Sequence, residues 1–146
     1  RPSVAGTAIA AHEVGHAIQH QQGYAFLRFR TALVPLANIG SSLSYIIIMA
    51  GIFLTALGSA FGSTALWIGA GLMSLAVLFS IVTLPVEFDA SSRAMKQITA
   101  LNIVNEKEYK HARKVLSAAA MTYVAATATA VAELVRIILL ARASDN

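Results

Sequence analysis

Two long stretches without a charged residue, Leu33 to Leu57 and Thr64 to Leu84, limit what this chain can fold into. Each is long enough to cross a hydrocarbon core as a helix, the one open structure that satisfies its own backbone polar groups there. A third stretch, Val115 to Ala141, is similarly apolar but is interrupted by Glu133 and Arg136. Charged residues make up 12% of the chain, about half the usual share in soluble domains. The expected fold is therefore all-α: an integral membrane helical bundle with three transmembrane helices, forming one domain over residues 1–146. Tyr45 and Trp67 belong either at the membrane interfaces or inside the bundle.

The linker Gly58 to Ser63 is short and uncharged, so the first two spans form a tight hairpin that returns the chain to the side it left. The basic residues agree with that path. Arg1, Arg28 and Arg30 precede the hairpin, and Arg93, Lys96, Lys107, Lys110, Arg113 and Lys114 follow it. Only Arg136 and Arg142 lie in or beyond the third span, so nine of the 11 basic residues share one face. The positive-inside rule makes that face cytoplasmic in a multi-pass protein of the cell membrane. The net charge of +4 reflects topology rather than nucleic-acid binding, because no aromatic residues interleave with the basic ones and no nucleic-acid motif occurs. There is no cysteine, which excludes disulfides and thiolate metal sites.

The chemistry is concentrated in His12-Glu13-Val14-Gly15-His16. Helix positions four apart lie one above the other, so His12 and His16 can offer two imidazoles to one zinc ion, with Glu13 beside them as a base. The helix is expected over about residues 3–22, capped by Ser3 or Thr7 and stopped by Gly23. The missing side chain of Gly15 permits another helix to come close.

A two-histidine zinc site needs a third ligand. His20 is about 12 Å along the same helix axis from His12, too far to converge on one ion. His111 sits in a charged stretch that suits a solvated face. The carboxylates Glu87 and Asp89 remain. Pro85 suits a first helical turn, so a second cytoplasmic-side helix is expected over about residues 86–101. On it Glu87, Ala90, Ser91 and Ala94 form a small-residue face that can press on the zinc helix. Asp89 has Arg93 four residues on, which favours an ordinary ion pair. Glu87 is the favoured ligand and Asp89 the reserve.

Three blocks together carry a family resemblance: Ala10 to His20, Ala32 to Ser41, and Leu84 to Ser91. Along essentially its whole length the chain resembles the YugP-like neutral zinc metallopeptidases of bacterial membranes. That resemblance implies a zinc-dependent peptidase with His12 and His16 as ligands and Glu13 as catalytic base. It also implies a further upstream portion with its own membrane helix, so the chain is expected to be a C-terminal fragment. More distantly the chain is similar to HtpX-type membrane proteases, in which a Glu-x-x-Ala-Asp pattern supplies the third ligand. Glu87 to Ala90 fits its first four positions, and Ser91 stands where the aspartate would be, with a hydroxyl able to accept a hydrogen bond from a ligand histidine.

The function expected is hydrolysis of peptide bonds in peptide or protein substrates by a zinc-activated water, with Glu13 as general base. The oxyanion would need a further donor, and His20, Asn38, Arg93 and Tyr123 are candidates. The alternative is a catalytically inactive metal-binding membrane scaffold. A transporter is disfavoured, because Glu133 and Arg136 lie three apart and can pair with each other. An intramembrane site-2 type protease is disfavoured too, because no span carries an aspartate ligand.

Overall fold

The computed structural model describes residues 3–146; Arg1, counted above among the basic residues, lies outside them. The chain forms four α-helices: α1 (Val4–Gln21), α2 (Ala25–Ala56), α3 (Phe61–Ala100) and α4 (Glu106–Ser144). No strand occurs among the described residues. The all-α expectation holds, and α2, α3 and α4 are each long and apolar enough to cross a membrane.

Local sequence sets the helix ends. The Ser3 hydroxyl accepts from the Gly6 amide at 3.0 Å and caps α1, and Asn105 Oδ1 accepts from the Glu108 amide at 2.9 Å at the start of α4; both satisfy orphan first-turn donors. Helices α1, α2 and α3 end on a left-handed residue: Gly23 (φ 65), Gly58 (φ 77) and Asn102 (φ 52). In each case the next amide reaches back to a helix carbonyl: Tyr24 to Gln19 at 2.9 Å, Ser59 to Leu54 at 2.9 Å, and Ile103 to Ile98 at 3.0 Å. This is the Schellman arrangement, open to glycine and tolerated by asparagine.

One boundary differs from the sequence expectation. Pro85 does not begin a helix; it lies inside α3, so the second span and the segment carrying Glu87 are one continuous element. An interior proline loses one backbone hydrogen bond. Here Val82, Val86 and Ala90 around it are buried, and that packing holds the helix together through the defect. Pro35 sits inside α2 in the same way, between buried Leu33 and Ala37.

The chain divides into two compact units. Unit 1 takes in residues up to Arg30 together with Val82–Ala125. Its core is Ala8, Ala11, Ala94, Ile98, Ala112 and Leu116, with Val4, Met95, Val104 and Val115 against it. Such small residues bring backbones together. A Cβ on Gly15 would lie 2.2 Å from the Ala90 carbonyl oxygen, so α1 and α3 touch main chain to main chain.

Unit 2 comprises Thr31–Ile81 and Ala126–Asn146. Ile48, Leu66, Ala70, Ile137 and Ala141 form its core. Gly62 abuts Thr55, where a Cβ would stand 2.6 Å from the Thr55 nitrogen, the close small-residue packing that membrane helices use. Large apolar side chains remain outside: Ile39, Ile46 and Phe53 on α2 are each more than 60% exposed. Water would not tolerate such a surface on a soluble domain; lipid suits it. The Trp67 indole nitrogen donates to Asp145 at 2.8 Å, so its polar tip is engaged while 40% of the residue stays exposed.

Candidate metal centre

Helix α1 carries His12 and His16 on one face, one turn apart, and their rings meet edge to face with centroids 4.7 Å apart. Glu87 comes from α3, where it is only 3% exposed. His12 Nε2 lies 2.8 Å and His16 Nε2 lies 3.4 Å from the same carboxylate oxygen, Glu87 Oε2. One donor atom from each of the three residues lies within 4.8 Å of the other two, so together they could hold a metal ion. The Gly15–Ala90 contact described above makes this possible, because it lets α1 and α3 approach at the level of the histidines.

The far side of each imidazole is also held. His12 Nδ1 is 2.9 Å from Ser91 Oγ, and His16 Nδ1 is 2.9 Å from Gln19 Oε1. The orientation of the Gln19 amide follows from its other bonds. Its Nε2 donates to the Val86 carbonyl at 2.8 Å and to Asp89 Oδ2 at 2.9 Å. Both acceptors require the NH₂ group there, so the amide oxygen faces His16 and can only accept. His16 therefore carries a proton on Nδ1, and Nε2 is the ring nitrogen that faces Glu87. Ligating histidines are held this way, with one nitrogen for the metal and the other N–H on an acceptor.

The chain of contacts continues outward. Asp89 Oδ2 also accepts from Arg93 Nε at 2.6 Å, and Arg93 bonds Gln22 and lies over the Tyr24 ring, 5.5 Å from its centroid. Burial and the nearby Asp89 push the Tyr24 phenol above its ordinary pKa, against the opposing pull of Arg93. On the other side of Glu87, Arg30 Nη1 stands 3.4 Å from Oε1, and the Tyr123 side chain is hydrogen-bonded to the carboxylate. No buried side-chain polar atom among the described residues lacks a partner.

Beside the cluster is a cavity of ≈ 160 Å³, lined by Glu13, His12, Glu87, Ser91, Tyr123 and apolar residues from α1 and α4. Glu13 is exposed and borders this space rather than joining the His–Glu contacts.

A match over residues 1–142 to a family described as "Putative neutral zinc metallopeptidase" agrees with this donor set. The chain belongs to that family. It is 39% identical over 138 residues to the "Putative membrane protease YugP" of Bacillus subtilis (strain 168), covering 94% of this chain. The match takes in 59% of the relative, so the chain spans about three fifths of the length of that protein. No solved structure matches the chain. Family membership makes zinc the metal to consider, and two imidazoles, a carboxylate and a free cavity beside them suit it.

His12, His16 and Glu87 come together. Asp89 does not join them; it pairs with Arg93, four residues on. His20 and His111 are exposed and outside the cluster. Of the four candidate oxyanion donors, Tyr123 lines the cavity, Arg93 is engaged by Asp89 and Gln22, His20 is exposed, and Asn38 belongs to unit 2. Gln19 and Arg30 were missed as site residues. A glutamine three residues after a ligand histidine is a usable signal for the first; nothing in the sequence marks the second.

Proposed function

We propose that this chain is the metal-binding and peptide-hydrolysing domain of a multi-pass membrane protease, with His12, His16 and Glu87 as zinc ligands and Glu13 as general base. The observation that carries the reading is the convergence of two histidine Nε2 atoms on one buried carboxylate oxygen while both Nδ1 atoms are held from behind. Glu87 is favoured over Asp89 because Gln19 and Arg93 already engage Asp89 Oδ2.

His12, His16 and Glu87 would hold the zinc ion, which would supply Lewis acidity for a peptide carbonyl and for water. Glu13, on the cavity wall, takes a proton from the attacking water and returns it to the leaving amine. The Tyr123 hydroxyl lines the same cavity and donates to the Glu87 carboxylate; released as that carboxylate binds a metal, the hydroxyl would donate to the oxygen on which negative charge develops. Arg30 holds the outer oxygen of Glu87, leaving Oε2 for the metal. By the positive-inside rule, the basic segments around Arg28 and from Arg93 to Lys114 lie on the cytoplasmic side, and so does the site they flank.

Glu13→Gln tests the reading. Zinc content should be unchanged while hydrolysis of a general peptide substrate falls by about 10²–10⁴-fold, the usual worth of a positioned base. Turnover that survives this change would remove Glu13 from its role. A full-length protein that keeps zinc but shows no chelator-sensitive cleavage would support the inactive metal-binding scaffold instead.

A further inference from the structure

A second and larger cavity, ≈ 730 Å³, opens in unit 1 between α3 and α4. It shares Ser91, Leu116 and Ala120 with the smaller cavity beside Glu13 and Tyr123, so the two adjoin along those residues. Its floor is apolar, built from Phe88, Met95 and Leu116, and Ser92, Thr99, Ser117 and Tyr109 add hydroxyls. Its only charged lining groups are Lys96 on α3 and Arg113 on α4. Neither forms an ion pair among the described residues, and both are exposed.

Resting on the peptidase reading above, we propose that this groove binds the substrate chain and that Lys96 and Arg113 select a carboxylate on it. The shared edge with the cavity of Glu13 argues for a peptide as occupant, because an extended chain leaving the groove over Ser91 and Ala120 would run to the reacting position. The hydroxyls can bond its backbone, the floor can take an apolar side chain, and neither cation is held in an ion pair, although Lys96 lies in the field of Asp89 and Arg113 lines a separate cavity with Glu106. Register follows from helix geometry. Lys96 is nine positions beyond Glu87, about 13 Å along α3, and Arg113 is ten positions before Tyr123, about 15 Å along α4. At about 3.3 Å per residue of extended chain, the selected carboxylate lies about four residues from the bond to be cut. It is either an acidic side chain or the chain terminus.

The test uses zinc-loaded full-length protein in neutral detergent and quenched fluorescent peptides in which one Glu is moved from two to six positions on either side of the cut. Parallel peptides carry Lys instead, or end in a free or amidated carboxyl group. We expect a peak in kcat/KM about four positions from the cut, at one side, about tenfold above the Lys counterpart for two exposed charge pairs, and weakened in high salt. The Lys96→Glu/Arg113→Glu protein should reverse that Glu-to-Lys ratio, whereas Lys114→Glu, outside the groove, should leave it alone. A peak that needs the free terminus identifies the terminal carboxylate as the selected group. Binding of the same peptides to zinc-loaded Glu13→Gln protein, followed by fluorescence anisotropy, separates the two proposals: the Glu preference must appear there even without turnover. A ratio that ignores Glu position, that survives the double reversal, or that arises only on vesicles of anionic lipid would overturn the assignment.

Discussion

Helices α2, α3 and α4 each contribute to both compact units, yet the two units handle polar groups in opposite ways. Unit 1 carries all four histidines and eight described basic residues (Arg28, Arg30, Arg93, Lys96, Lys107, Lys110, Arg113 and Lys114), whereas unit 2 has only Arg136 and Arg142. In unit 2 several hydroxyls are satisfied within their own helix: Ser44 donates to the Ser41 carbonyl at 2.9 Å and Thr55 to the Gly51 carbonyl at 2.8 Å, while Thr127 and Ser63 reach acceptors outside their own helix, the Ser80 carbonyl and Asp145. Glu133 and Arg136 pair with each other three residues apart. Polar atoms bound this way leave the outer faces free to meet lipid. In unit 1, by contrast, Gln19, His12, His16 and Glu87 reach between helices toward one point. Burying a carboxylate costs free energy unless partners compensate. Unit 2 avoids that cost, and unit 1 accepts it where a divalent ion would repay it.

Removing the acid at the centre of unit 1 should have the largest effect. Glu87→Gln takes away the one anionic donor of the cluster, so zinc affinity should drop more than the ~10–100-fold typical of an outer hydrogen-bond partner, and proteolysis should fall with it. Asp89→Asn should retain zinc far better. Elemental analysis after dialysis against graded chelator compares the two; greater zinc loss in Asp89→Asn would mean that the carboxylates had been assigned the wrong way round, and equal loss would leave Glu87 with no special claim as ligand. Gln19→Leu comes next. It removes the acceptor behind His16 and the amide donor to the Val86 carbonyl and to Asp89, which keeps Arg93, so zinc affinity should fall ~10–100-fold. Its counterpart in unit 2, Ser44→Ala, breaks only a local bond and should not move zinc affinity at all.

Much of unit 1 was legible because its signals are local or topological. Two histidines four apart define a face, and an uncharged hairpin returns the chain with Glu87 in hand. Ala90 and Ala94, expected on the face toward α1, are fully buried. The helix limits were less legible. Hydropathy marks only the apolar part of a helix, so α2 begins at Ala25 rather than near Leu33 and α4 at Glu106 rather than near Val115. Pro85 read as a start because the rule for first-turn proline is local, whereas the packing that carries α3 through it is tertiary. Gln19 was passed over for the same reason: its complete burial depends on Val86 and Asp89, nearly seventy residues away.

A pair of glycines sharpens the contrast between stability and site geometry. Gly15→Ala in unit 1 would force a Cβ against the Ala90 carbonyl, and Gly62→Ala in unit 2 would force one against the Thr55 backbone. Each should destabilise the protein by about 1–3 kcal/mol, the usual result of overpacking, seen as a lower Tm in detergent. Only Gly15→Ala should also weaken zinc binding, because it pushes α1 and its histidines away from Glu87. Zinc affinity lost equally in both variants would show that the metal centre senses general stability rather than the α1–α3 contact.

The smallest effect is expected at Asp145, where unit 2 has its own exposed polar clasp. Its carboxylate accepts from the Ser63 hydroxyl and from Trp67 Nε1, close to the start of α3, where the helix dipole also favours an anion. The Ser63 bond, and then the Trp67 bond, lower the Asp145 pKa from its ordinary value. A carboxyl group whose pKa is lower folded than unfolded adds stability above its unfolded value and loses it as pH falls through the folded one. Asp145→Asn should therefore cost a little stability near neutral pH and nothing once the wild-type carboxylate is protonated, so that the two Tm curves merge in acid. Zinc content at neutral pH should be the same in both proteins. Curves that stay parallel down to strong acid would assign the clasp's contribution to neutral hydrogen bonding, and a change in zinc content would break the separation of roles between the two units.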